Sequence, residues 1–336
     1  MIRVELGVED LADTRFAISP LAETVFSLWE LTAASGSVLH QPWLRAARRR
    51  LDRLDIPLLH ALVGEPRGQF ARPSRALPDF LTPRPRSSAP VFADELALVR
   101  ATPVKVVRHD VLAAHGPDPL PEVLHAVLGP DDGPVLALLK AVCDLLASLW
   151  DIVIEPLWPR LRLVLEADTT YRARQLATGG ARLLFADIHP NLTWRDGGLD
   201  IQEMVGGHDV TAPGRGLLLV PSAFAFKPVP PVSPELAPWL AYPSRGVATL
   251  WAPAADADAS ALAALLGRPR ARLLGMLTEP LPTVEIARQL QVTPSAVSQH
   301  LKVLRANGLV TGTRDGRHVL YRRSPLGAHL AERREP

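Results

Sequence analysis

A chain of 336 residues, 47% apolar and 21% charged, holds enough hydrophobic material for two domains and excludes a disordered polyelectrolyte. Its single cysteine, Cys143, excludes an intramolecular disulfide framework and a thiolate zinc module. The formal charge of +2 hides an asymmetry: from Arg268 onward twelve Lys and Arg face five Asp and Glu, a local +7, and the rest carries −5, the charge pattern of a basic nucleic-acid-binding module on a mildly acidic body.

Met1-Ile2-Arg3-Val4-Glu5 lacks the apolar stretch of a signal peptide, and the richest apolar run, 135–154, is broken by Lys140, Asp144 and Asp151. A buried helix is expected there rather than a membrane span, and a cytoplasmic location for the chain. Residues 1 to about 65 predict helices. Ser19-Pro20 pairs an N-cap hydroxyl with proline at the first helical position, and Leu21, Val25 and Leu28 then share a face with Phe26 and Trp29 beside it. A second amphipathic stretch, 43–54, turns Leu44, Ala47, Leu51 and Leu54 inward and Arg45, Arg48, Arg49, Arg50 and Arg53 outward to solvent. Six prolines between 66 and 90 predict an irregular connection.

Short helices are expected around 92–100 and 119–128. A long buried helix from Pro134 to about Glu155 should follow, and then a helix over 158–177 capped by Gly179-Gly180. The period then changes: 192–194 and 199–201 around Arg195-Asp196-Gly197-Gly198 predict a β-hairpin, 216–226 a buried strand and 246–251 a further strand. Residues 254–266 return to helix. The fold class is α+β: a mostly helical N-terminal body with a small β element (1–253, helical to 180) and a C-terminal winged helix-turn-helix (254–336).

That C-terminal segment carries the function. Thr283–Leu290 forms a short helix with Ile286, Ala287 and Leu290 inward, Gln291-Val292 the turn, and Thr293-Pro294 an N-cap and first position for a helix to about Ala306. Val297, Leu301 and Leu304 make its buried stripe, and Asn307-Gly308 ends it. The opposite side presents Ser295, Ser298, Gln299 and Lys302, flanked by His300. A recognition helix needs such side chains: Gln pairs bidentately with adenine and Ser with several bases, while Lys or His reaches phosphate or guanine. Thr293 and Ala296 belong to the same DNA-facing set. A hairpin on Asp315-Gly316 follows, with Arg314 and Arg317 at its tip, suited to phosphates or the minor groove.

The residues Val284-Glu285-Ile286-Ala287, the run from Val292 to Leu304, Asn307-Gly308-Leu309-Val310, and Arg314-Asp315-Gly316-Arg317 with Tyr321 resemble the ArsR/SmtB family of bacterial winged-helix repressors over about 70 residues. The resemblance implies dimeric binding to a near-palindromic stretch of double-stranded DNA and release on a signal. Gln291 departs from it, standing where the family has Gly. The family's metal ligands do not carry over: no Cys pair lies on Thr283–Leu290, and the terminal helix offers only His329. No metal or other cofactor is expected, and dimerisation falls to 254–277 and the body. The body is itself similar to the large N-terminal domain of a group of actinobacterial ArsR-like regulators, through Phe16 to Trp29, Phe185 to Pro190, Arg215 to Ser222 and Tyr242 to Val247.

Other features divide between structural and functional roles. His189 and His208, near Asp187 and Asp209, serve as surface or capping groups in preference to a metal site. Cys143 is expected to be an inert buried thiol. Trp29, Trp150, Trp158, Trp194, Trp239 and Trp251 serve either core packing or a small-molecule pocket. No Gly-x-Gly-x-x-Gly, Walker loop, His-Glu-x-x-His or Gly-x-Ser-x-Gly occurs, so no enzyme is expected. The expected function is a DNA-binding regulator, with a small organic effector as a possible ligand of the body. The alternative is a winged helix used only for protein assembly.

Overall fold

The computed structural model describes residues 1–32, 37–50, 56–63, 66–67, 72–73, 77–116, 119–202, 204, 209–211, 214–251, 259–315 and 318–331. The chain divides into two units, residues 1–251 and 252–336. In the first, β1 (Ile2–Glu5), α1 (Val8–Ala12) and β2 (Arg15–Phe16) precede helices α2 (Pro20–Thr32), α3 (Gln41–Arg48) and α4 (Ile56–Val63). The short strands β3 (Pro66–Arg67) and β4 (Arg72–Pro73) lead to α5 (Phe92–Arg100), α6 (Val104–His115), α7 (Asp132–Leu149) and α8 (Trp158–Phe185). Strands β5 (Leu192–Arg195), β6 (Gly198–Ile201), β7 (Asp209–Thr211), β8 (Leu218–Ser222) and β9 (Trp239–Pro243) complete it. The second unit holds α9 (Ala259–Leu266), α10 (Arg268–Met276), β10 (Leu281–Pro282), α11 (Thr283–Leu290), α12 (Pro294–Ala306), β11 (Val310–Asp315), β12 (His318–Arg323) and α13 (Pro325–Ala331). Helix and strand are mixed in an α+β arrangement with the helix-turn-helix at the C-terminal end. Among the described residues no helix is long and apolar enough to cross a membrane.

The α2 start follows its local chemistry. The Ser19 hydroxyl accepts from the Ala22 amide at 2.9 Å, and the Glu95 carboxyl of α5 accepts from both Ser19 Oγ and the Leu21 amide. Leu21, Val25, Phe26 and Leu28 are buried in the larger of two cores, where α2, α3, α5 and α7 meet. The smaller core lies between the sheets and the end of α8. A parallel sheet, β2-β8-β9, forms the partition. Leu218 and Val220 with Trp239 and Ala241 face the larger core, and Leu217 and Leu219 with Leu240 and Tyr242 the smaller. Both faces of these strands are covered, which is why 216–226 is a nearly continuous apolar run instead of an alternating one.

Several expectations are corrected. Residues 2–5, expected within helix, form the strand β1, because they pair antiparallel with β6 and parallel with β7 in the sheet β5-β6-β1-β7. Partners some 200 residues away leave no local signature. Helix α6 lies where no helix was expected. The helix from Pro134 gives way after Leu149 to a π-helical turn at Trp150–Ile154. The helix expected to end at Gly179-Gly180 instead breaks at Gly180 (φ 63°) and resumes to Phe185. The strand expected at 246–251 is a 3-10 turn, Val247–Trp251: Gly246 (φ 75°) turns the chain and its carbonyl accepts from the Thr249 amide. The stretch 43–54 is helical to Arg48, with Leu51, Arg53 and Leu54 outside the described residues. Cys143 is buried, which pushes its thiol pKa up. Trp29, Trp150, Trp158, Trp239 and Trp251 pack in or against the larger core, and Trp194 against the smaller.

Candidate nucleic-acid interface

The second unit is built around one core of Leu273, Leu274, Leu277, Ile286, Ala287, Val297, Leu301, Leu304, Leu309 and Val310. Thr293 Oγ1 accepts from the Ala296 amide at 3.3 Å, and Pro294 occupies the first helical position of α12. The spacing of Val297, Leu301 and Leu304 buries one side of α12. That leaves Ser295, Ser298, Gln299 and Lys302 exposed on the other, with His300 and Ala296 half-buried at its margins. None of the four exposed side chains has a hydrogen-bond partner among the described residues, so their donors and acceptors are available to a ligand. Thr293 has spent its acceptor on the cap and keeps its hydroxyl proton to donate.

Both helices of the motif end in the same 6→1 and 5→2 bond pair. For α12 the Leu309 amide donates to Leu304 and the Gly308 amide to Arg305, with Gly308 at φ 69°. For α11 the Val292 amide donates to Ala287 and the Gln291 amide to Arg288, and here the left-handed position (φ 58°, ψ 41°) is held by Gln291. A side chain at this conformation costs about 1 kcal/mol relative to glycine. Gln291→Gly is therefore expected to stabilise the second unit by that amount, seen as roughly fivefold slower hydrogen exchange at the core amides of α11 and α12. Unchanged or faster exchange would show that the turn carries no strain.

Strands β11 and β12 pair from Val310↔Arg323 to Asp315↔His318, and β10 pairs with β12 to complete the wing sheet. Arg314 is exposed near the tip; Arg317 lies outside the described residues. Among the described basic residues, Arg323 and Arg288 have internal work instead. Arg323 donates to the Leu274 carbonyl at 2.7 Å and to that of Gly275, answering the C-terminal end of α10. Arg288 donates to Glu285, and hydrogen bonds from Arg288 and then Gln289 hold the Glu285 carboxyl down at about 2. The role of Arg323 was not foreseen; the Ser324-Pro325 helix start beside it was the available signal. Ser324 Oγ accepts from the Gly327 amide and donates to the Gly308 carbonyl at 2.6 Å, and a Cβ at Gly327 would meet the Leu309 carbonyl oxygen at 1.9 Å.

In the first unit His189 is committed through Nδ1 to Asn191, and Asp187 to Arg172 and Tyr171. His208 lies outside the described residues, among which no three His, Cys, Asp or Glu side chains form a metal-binding group.

Two helices across a tight turn, with a hairpin behind them, define a winged helix-turn-helix. The family described as "Helix-turn-helix domain" matches residues 265–313. The HTH-type transcriptional regulator NmtR of Mycobacterium tuberculosis is 40% identical over 90 residues, 26% of this chain and 73% of that protein. The HTH-type transcriptional repressor SmtB of the same organism is 46% identical over 68 residues, 20% of this chain and half of that protein. A crystal structure described as a "Possible transcriptional regulator for arsenical resistance" is 37% identical, covering 22% of this chain and 76% of that one, with a TM-score of 0.19. The chain belongs to the ArsR/SmtB family of HTH-type transcriptional regulators.

Proposed function

We propose that the protein is a sequence-specific DNA-binding repressor, acting as a homodimer on a near-palindromic operator. Residues 254–336 are its DNA-binding domain, and residues 1–253 a regulatory and dimerisation domain controlled by a small organic effector. Ser295, Ser298, Gln299 and His300 read base edges, and Lys302, Arg314 and Arg317 hold phosphates or the minor groove. Thr293 and Ala296 sit against the backbone at the start of the recognition helix. The observation that carries this reading is the exposed, unpartnered polar face of α12 opposite its buried stripe. Two recognition helices related by a dyad would address half-sites about 34 Å apart.

The test is fluorescence anisotropy of the full chain on duplexes it selects from a random pool and on scrambled controls, across a salt series. Gln299→Ala is expected to cost about 1–3 kcal/mol on the selected duplex and little on the scrambled one. Arg314→Ala should weaken both alike and lower the salt slope by about one. Equal losses on both duplexes for Gln299→Ala would remove it from base reading. Failure of the wild-type chain to bind any duplex at low salt would favour a winged helix used for protein assembly.

A further inference from the structure

A groove of about 540 Å³ opens between the last turn of α8, the segment 186–190 and strand β5. Its volume lies in the range of small-molecule sites. Phe185 and Ile188 are buried along it, and the half-buried Trp194 ring stacks on Phe185 with centroids 5.6 Å apart and planes 19° from parallel. The groove therefore offers a flat aromatic wall.

Its polar groups differ in what they have to spare. The Asp187 carboxylate already accepts from Arg172 and from Tyr171 Oη at 3.3 Å, and Arg245 Nη1 lies 3.6 Å away. A cationic ligand would find that charge answered. His189 is anchored through Nδ1, 2.6 Å from Asn191 Oδ1, which leaves Nε2 without a protein partner among the described residues. Arg182 is exposed, and its guanidinium has no acceptor among them. The site thus combines an aromatic face with an uncommitted, fork-shaped set of N–H donors, a combination that suits a planar ring bearing one carboxylate.

We propose that this groove binds an aromatic carboxylate, with the ring against Trp194 and the carboxylate on the Arg182 fork. The inference rests on the reading of residues 1–253 as a sensing domain, for which it supplies a place and a ligand class.

The test is calorimetric titration of the full chain with 1-naphthoate, and with 1-naphthalenemethanol as its uncharged counterpart. One site per chain is expected, with Kd of about 1 mM or below. The alcohol should bind about tenfold more weakly, and so should naphthoate to Arg182→Ala, because a charge-assisted pair is lost in each case. Arg182→Lys should fall between Arg182→Ala and the wild type, retaining the charge without the fork. Titration without saturation, or equal affinity of the wild type and Arg182→Ala, would overturn the proposal. Arg182 is a surface side chain, so far-ultraviolet circular dichroism of the variants should match the wild type. Duplex titrations without naphthoate report separately on DNA reading. Arg182-dependent naphthoate binding by a chain that ignores every duplex would support this site while sinking the repressor.

Discussion

Arg172→Met is expected to destabilise the first unit by about 3–5 kcal/mol, the usual consequence of removing one partner from a buried ion pair. The Arg172 side chain is completely buried. Its Nη1 donates to Asp187 Oδ1, Gln175 Oε1 and the Leu184 carbonyl, and its Nη2 to the Asp187 carbonyl. Its Nε has no hydrogen-bond partner among the described residues and lies 3.9 Å from Asp168 Oδ1. Asp168 in turn accepts from Tyr242 Oη at 2.9 Å and from the Arg245 amide at 3.1 Å. One cation thus ties the first part of α8 to the turn after its break at Gly180, and through Asp168 to the end of β9. Methionine fills much of the arginine stem but leaves Asp168 a buried carboxyl without its counter-charge. Burial already pushes the Asp168 pKa up, against the bonds from the Arg245 amide and Tyr242 and the charge of Arg172, so losing Arg172 raises it further. Urea unfolding followed by tryptophan emission reports on the first unit, which contains all seven tryptophans. The double variant Arg172→Met/Asp168→Asn should recover part of the loss, since both charges then go together. A loss below about 1 kcal/mol for the single variant would mean that the pair holds nothing in place.

The two units differ in how far they could be foreseen, for a physical reason. Everything that defines α11 and α12 lies between Thr283 and Gly308: the Thr293 cap, Pro294 at the first helical position, the stripe Val297, Leu301 and Leu304, and the terminating Gly308. Local rules therefore locate both α12 and the side chains it exposes. What they missed there, the contact of Arg323 with the end of α10, spans 49 residues.

In the body almost every joint is of that distant kind. Three of the segments by which it resembles other regulators meet along the partition sheet, where Phe16 pairs with Leu219 and Pro221 with Tyr242. Glu23 of the segment 16–29 accepts from the Ala223 amide, next to the segment 215–222. Asp187 of the segment 185–190 is bonded to Arg172, and Tyr242 of the segment 242–247 to Asp168. The Arg215 and Gly216 amides donate to Asp10 at 3.0 Å. At these runs carboxylates, all buried except Asp187, hold non-local backbone and charge, which no helical or strand period encodes. Periodicity found the core faces of α2 and α3. It had no means of finding that β1 closes a sheet with β6, or that Gly180 interrupts α8 without ending it.

Those buried carboxyls also set how the first unit responds to pH. Burial pushes the Glu23 pKa from 4.5 up to about 8, against opposing bonds from Ser222 and the Ala223 amide. It pushes Glu95 up to about 7 and Asp79 up to about 6. His40 moves the other way, from 6.5 down to about 4, because burial disfavours its cation. For Glu23 the unfolded chain loses its proton near 4.5 while the folded chain keeps it to about 8. Its contribution to stability is therefore complete below 4.5 and declines as pH rises to 8. His40 contributes an opposite, rising term between 4 and 6.5. Above 6.5 that term is exhausted and the carboxyls act alone. From pH 7 to 8, beyond the range of Glu95, Glu23 is the carboxyl still titrating, and the first unit is expected to lose about 1.4 kcal/mol, one proton across one pH unit. Glu23→Gln keeps an acceptor for the Ala223 amide and removes the titration, so its urea midpoint should change little over the same window. A wild-type midpoint that holds steady or climbs from pH 7 to 8 would refute this assignment. A decline that persists in Glu23→Gln would transfer it to another group. Glu23 sits at the joint between α2 and the chain leaving β8, so its deprotonation strains the contact that fixes the partition sheet against the larger core. Alkaline loosening should accordingly begin at the amides of 218–225, ahead of α7, in hydrogen exchange.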